Sequence, residues 1–469
     1  MDATDLCYLP ATELAAAIRV KHVSPVEVTE AVLTRIERVN PRLNAYCTVT
    51  AEAARSAAKA AEAAVMRAEA LGPLHGVPVS IKDLTFTRGI RTTRGSKLYE
   101  HFVPDEDAPL VERLRAAGAI SLGKTNTPEF GWKGVTDNLV FGPSRNPWNP
   151  AMTPGGSSGG GSAAVAAGLA PLAVGTDGGG SIRIPSSFCG IFGLKPSFGR
   201  VPQYPASAVA SLSHAGPMTR TVRDAALMLN VVAGPDERDG LSLPADGRDY
   251  LEGLDAGIRG LRVAWSPTLG YAAVHPEVAR VTEAAAKRFT DLGAHVELVE
   301  SVFEDPEGPW TILFYGGIAA ALGEYLPTRR DDIDPGLVPI IEEGLRLTGS
   351  QVIQAQLRRA AHWDVVRRFF ARYELLLMPT LAVPPFQVGF NEPSDHVDKH
   401  GSRLGWVAFT YPFNMTGQPA ASVPCGFTKD GLPVGLQIVG RRFADATVLR
   451  AAAAFEAIAP WADKRPAIG

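Results

Sequence analysis

Residues 170–185, APLAVGTDGGGSIRIP, run from an apolar segment with strand character straight into three glycines and Ser181. A short apolar run closed by glycine reads as a buried strand. Similar runs recur at GVPVSIKD (76–83), AISLG (119–123), LRVAW (261–265), HVELVE (295–300), ELLLMPT (374–380), ASVPCGF (421–427) and GLQIVG (435–440). Between several of them lie helical stretches: LVERLRAAG (110–118), 276–292 and 350–372. Helices alternating with short apolar strands predict an α/β fold whose sheet is covered on both faces. Before the first strand the chain reads as helix. SPVEVTEAVLTRIERVN (24–40) opens with Ser24 as N-cap, Pro25 at the first helical position and Glu27 completing a capping box. The Ala-rich stretch 50–72 is expected to run as a second helix until Gly72 stops it.

The bulk numbers narrow the function. The chain has 469 residues, 46% hydrophobic and 20% charged, with a formal charge of −3, so it lacks the basic footprint of a nucleic-acid binder. The N-terminus MDATDLCYLP is acidic where a secretory signal is positive. SAAVAAGLAPLAVG (162–175) is too short for a membrane span and is interrupted by Pro171. Cys7, Cys47, Cys189 and Cys425 lie far apart without CxxC spacing, and no HExxH pair occurs. The expectation is a cytoplasmic protein with no metal and no cofactor, its thiols reduced and Cys189 in the core.

Two glycine-wrapped serine stretches, 154–165 and 175–185, admit three readings: phosphate grip, nucleophile housing or flexible loop. The phosphate reading has a formal match in GAISLGKT (118–125), which fits G-x-x-x-x-G-K-T around Lys124. That motif needs a strand before it and a helix after it. Here a helix precedes it, AISL is itself the strand, and NTPEFG follows, so a nucleotide binder is disfavoured. GSSGG (156–160) fits the nucleophile elbow around Ser158, but SRNPWNPAMTPG (144–155) is no central strand. In the third reading Ser181, Ser157 and Lys82 act together. Glycines allow consecutive N–H groups to converge on an oxyanion, and a desolvated lysine can serve as the base a serine needs.

GVPVSIKD, GKTNTPEFG (123–131), FGPSRNPW (141–148), TPGGSSGGGSAAVAAG (153–168), GTDGGGSIRIPSSFCGIFGLKPS (175–197) and FTYPFNMTGQPAASVPCGF (409–427) resemble the amidase signature family. The likeness runs from about residue 74 to 234 and returns from about 374 to 440. It implies a single α/β/α domain around a large twisted mixed sheet, with N-terminal helices over 1–73 and a signature core over 74–234. A variable region that shapes the pocket would follow over 235–370, and 371–469 would return to the sheet. It implies a Ser–cis-Ser–Lys triad: Ser181 the nucleophile, Ser157 the bridge after a cis peptide, Lys82 the base. The oxyanion donors would be the amides of Gly178, Gly179, Gly180 and Ser181. Thr176, Asp177 and Arg183 would brace the loop, Ser158 would assist the bridge or cap the following helix, and Gly131 would line the substrate pocket. The implied activity is hydrolysis of amides with apolar or aryl groups, with carbamates as a further class. The partner is a small-molecule amide or carbamate, with no nucleic acid and no membrane span, and a homodimer is a candidate assembly. A second reading within the family is the ammonia-releasing component of a glutamine-dependent amidotransferase.

Overall fold

In the computed structural model, β2 (Pro78–Lys82) and β4 (Leu172–Asp177) lie side by side and parallel, with Ile81 opposite Val174. Side chains alternate across a strand, and the alternation sorts two cores. Val79, Ile81, Leu172 and Val174 point into one, with Leu110 and Leu114 of the helix Pro109–Ala116 and Ala226 and Leu229 of the helix Val222–Val232. Ala173 points into the other, with Ala163, Ala164 and Val165 of the helix Gly159–Ala166 and Val32 and Ile36 of the helix Pro25–Leu43. The structure describes residues 2–394, 396 and 402–468.

The remaining strands are β1 (Tyr46–Val49), β3 (Ile120–Thr125), β5 (Phe192–Lys195), β6 (His214–Thr219) and β7 (Arg262–Trp265), then β8 (His295–Leu298), β9 (Leu375–Pro379), β10 (Ala420–Phe427) and β11 (Pro433–Gly440). They form one mixed sheet in the order β1-β3-β2-β4-β6-β5-β10-β11-β9-β7-β8. Parallel pairing holds within β3-β2-β4 and within β9-β7-β8, while antiparallel pairs join these blocks through β6, β5, β10 and β11. This is the α/β mixed-sheet fold that the resemblance implies.

The capping box forms: the Ser24 amide donates to Glu27 Oε2 at 2.8 Å and Ser24 Oγ accepts from Val26 N at 2.9 Å. The Ala-rich helix is shorter than its composition suggests, spanning Ala51–Met66. Ala68 turns left-handed at φ 55°, and the Glu69 amide reaches back to Ala64 O, which closes the helix well before Gly72. Gly72 serves a different need, since a Cβ there would lie 2.4 Å from the Ala117 carbonyl oxygen.

Residues 235–370 do not stand apart, because β7 and β8 extend the common sheet. The helices Glu307–Leu322, Val338–Leu345 and Gly349–Arg372 pack on the opposite face of β7 and β9 from the first core, around Ala264, Leu376 and Met378. Trp310, Phe314, Ile318 and Leu322, one turn apart, carry that contact.

Candidate active site

Lys82 closes β2 at the carboxyl end of the parallel block, the end where open α/β sheets place their ligands. Alternation sends its side chain toward the helix Gly159–Ala166, and it is wholly buried. Nζ lies 2.7 Å from Ser157 Oγ, 2.9 Å from Ser158 Oγ and 2.9 Å from Thr176 Oγ1. Among the described residues no carboxylate forms an ion pair with it. Burial holds its pKa well below the ordinary lysine value, and the more distant Asp177 only partly offsets this.

Ser157 follows a cis peptide bond from Gly156. The segment before it, 144–154, contains no strand, so the elbow geometry is absent. Ser158 does not cap the helix that follows with its side chain. Its hydroxyl donates to Thr176 O at 3.2 Å and accepts from Lys82. The glycines after it allow close approach: a Cβ on Gly160 would lie 2.4 Å from Ala45 O and 2.5 Å from Asn126 N.

Ser181 lines the same cavity as Ser157, and the two loops are joined where the Ser158 amide donates to Ser181 O at 3.2 Å. Ser181 Oγ makes no hydrogen bond to a described residue, so the Lys82–Ser157 link is closed and the Ser157–Ser181 link is open. The glycine run is shaped by Asp177, which ends β4. Its Oδ1 accepts from the Gly180 amide at 2.7 Å and its Oδ2 from the Ile182 amide at 3.1 Å. The Gly180 N–H is therefore committed to Asp177 and is not a free oxyanion donor. The amides of Gly178, Gly179 and Ser181 have no acceptor among the described residues. Gly180 itself sits at φ 134°, where a Cβ would also meet Thr410 Oγ1 at 2.5 Å.

Arg183 uses all five of its N–H donors. Two form a fork on Asp177 at 2.9 and 3.0 Å, and three reach Thr410 O, Gln437 Oε1 and Asn414 Oδ1 at 2.7–2.9 Å. Burial alone would raise the Asp177 pKa, but Arg183, with Lys195 and Asn414, overrides it and holds the carboxyl well below the usual range. Gly131, at φ 74°, leaves room for the bridge: a Cβ there would stand 3.0 Å from Ser157 Oγ.

These groups open onto a cavity of about 840 Å³ whose wall includes the aromatic side chains of Tyr99, Phe130, Trp132, Trp310, Phe314 and Trp406. The sequence points to Trp310 and Phe314 through the apolar stretch 308–326. Nothing local marks Tyr99 or Trp406. Lys124, the lysine of the nucleotide-loop match, is buried in β3 and bonded to Thr85 O, Thr87 Oγ1 and Thr92 Oγ1. Its GAISLGKT is a helix stop and a strand, with no phosphate loop. Cys189 is fully buried. Among the described residues no helix is long and apolar enough to cross a membrane.

Comparison with known proteins identifies the family. The amidase family profile matches residues 27–449. An acylamidase of Rhodococcus erythropolis is 45% identical over 475 residues, covering 100% of this chain and 99% of that protein. A glutamyl-tRNA(Gln) amidotransferase component of Moorella thermoacetica is 40% identical, covering 99% of each. The crystal structure of a bacterial aryl acylamidase of the amidase signature enzymes superposes with a TM-score of 0.90 at 36% identity, over 97% of each chain. The chain belongs to the amidase signature family and is an amide-hydrolysing enzyme.

Proposed function

We propose that the enzyme cleaves the C–N bond of amides bearing apolar or aryl groups, and of carbamates, through an acyl-enzyme on Ser181. The observation that carries this reading is a wholly buried Lys82 whose amine lies 2.7 Å from Ser157 Oγ. A neutral amine has two N–H bonds and one lone pair. Ser158, whose own proton goes to Thr176 O, takes one N–H. Thr176 Oγ1 takes the other, which leaves the lone pair for the Ser157 hydroxyl. Lys82 then accepts the Ser157 proton as Ser157 accepts that of Ser181, and Ser181 Oγ bonds to the substrate carbonyl carbon. The free amides of Gly178, Gly179 and Ser181 stabilise the oxyanion, each such donor contributing about 3 to 4 kcal/mol. The proton returns through Ser157 to the leaving nitrogen, the C–N bond breaks, and water releases the acid by the same route reversed. The open Ser157–Ser181 link closes when substrate orders the Ser181 hydroxyl, catalytic contacts being looser in a free enzyme. Four cysteines without disulfide partners support a cytoplasmic location.

Fluorophosphonate labelling with peptide mapping tests the nucleophile: modification falls on Ser181, and labelling elsewhere refutes the assignment. Lys82→Ala lowers anilide turnover by at least about a hundredfold, as loss of a general base does. A second reading, an ammonia-donating component of an amidotransferase, draws support from the 40% identical relative. Turnover of a simple anilide by the purified chain without a partner decides for the hydrolase.

A further inference from the structure

Arg94, in the segment TTRGS (92–96), has no acceptor for its guanidinium among the described residues. It lines the cavity beside Tyr99, Phe130 and Gly131, and Gly131 in turn abuts Ser157. Its charge sits over the rings of Phe86 and Tyr99, both at 4.9 Å, and of Phe130 at 5.9 Å. Rings attract a cation through their faces, but they do not satisfy the N–H edge of a guanidinium. Nε is enclosed without a hydrogen-bond partner, and no carboxylate among the described residues pairs with this side chain. By contrast, Arg183 fills all five donors, and Arg91 donates to Glu100 O. Burial also holds the Arg94 pKa below its ordinary value, with Tyr99 and Tyr325 opposing.

The mounting of Arg94 is firm. Its φ is 56°, a left-handed conformation uncommon outside glycine. Its amide donates to Asp83 O, and its carbonyl accepts from Phe130 N at 2.8 Å. Asp83 in turn accepts from the Thr93 amide at 3.0 Å and from the Thr93 hydroxyl. A guanidinium fixed among aromatic rings, without an acceptor among the described residues and lining the same cavity as the serines, has the planar edge that receives two oxygens.

We infer that Arg94 is a substrate-binding residue that receives a carboxylate carried by the amide substrate, so that the enzyme favours amides bearing an anionic group over their neutral isosteres. This rests on the hydrolase reading above and names a substrate class for it.

The test uses Ser181→Ala, so that binding is read without turnover. Calorimetry compares N-phenylsuccinamate with 4-methylpentananilide, and 4-acetamidobenzoate with 4-isopropylacetanilide. Each pair sets a carboxylate against an isopropyl group of similar size, one on the acyl side and one on the amine side. The expected result is that one anionic member binds at least about tenfold more tightly than its isostere. Adding Arg94→Met brings that pair within about twofold, while Arg94→Lys keeps part of the difference. Equal affinities within both pairs overturn the inference without any Arg94 variant. So does an anionic advantage that survives Arg94→Met or, if that protein does not fold, Arg94→Gln. Failure of the wild-type enzyme to hydrolyse any of the four anilides counts against the hydrolase reading alone.

Discussion

Lys82 lacks the two surroundings that most often hold a lysine charged: it is cut off from solvent and no described carboxylate pairs with it, while three hydroxyls contact its amine. The consequence for pH has a definite sign. Its folded pKa is depressed far below the unfolded value of about 10.4. Between the two values the unfolded chain binds the extra proton, so Lys82 makes stability rise with pH across that window. Lys82→Met keeps the length and apolar stem without titrating. Denaturant midpoints taken between neutral and alkaline pH are expected to rise more steeply in the wild type than in this variant, and parallel curves would mean that the amine is charged in the folded state. Glu129, two residues before Gly131, has the opposite sign. Buried against Ser96 and the Asp334 amide, its carboxyl is raised by desolvation from 4.5 to about 7. The folded state therefore holds a proton that the unfolded state releases. Its contribution is complete below the unfolded pKa and is lost as pH rises to about 7. That displacement corresponds to about 3 kcal/mol. Glu129→Gln removes the decline, which chemical denaturation at pH 4.5 and pH 7.5 measures directly.

Among the elements, two strand ends and one helix start hold the candidate site, and their legibility differs for physical reasons. A lysine closing an apolar run, and glycines packed before a small-residue helix, are local signals. Lys82 and Ser157 are accordingly legible in the sequence as candidates. The fate of the Gly180 amide could not, because it depends on how Asp177 folds back after β4 to cap the glycine turn. The helix end at Met66 escaped for a related reason: Ala68 adopts a left-handed conformation that composition does not advertise. Arg183 was legible as a brace, but its three further acceptors come from chain far downstream. The Asp177–Arg183 fork is wholly buried, and breaking such a pair from one side costs about 3 to 5 kcal/mol. Arg183→Met is expected to lower stability by that amount in urea and to abolish fluorophosphonate labelling of Ser181. A variant of native stability would show that the glycine turn holds its shape unaided.

Across the full sheet, the strand order brings together cavity walls that the chain keeps far apart. Tyr99 precedes β3, Trp310 lies between β8 and β9, and Trp406 lies between β9 and β10. Their meeting follows from long-range pairing of β9 with β11 and of β10 with β5, which no local pattern encodes. Trp310 does more than fill space. Its Nε1–H donates to the Gly178 carbonyl at 3.1 Å. A trans peptide points its C=O and the following N–H in opposite directions. Pinning the Gly178 oxygen against the indole therefore aims the Gly179 amide away from it, as one of the three free donors. The region 235–370 thus reaches the proposed oxyanion loop through this hydrogen bond. Trp310→Phe keeps an aromatic ring and deletes that donor. A hydrogen bond contributes about 1 kcal/mol, so kcat for an anilide is expected to fall about fivefold, with KM and urea midpoint little changed. An unchanged kcat would mean that the Gly179 amide is aimed by the loop itself, and a rise in KM alone would reduce Trp310 to a wall of the pocket.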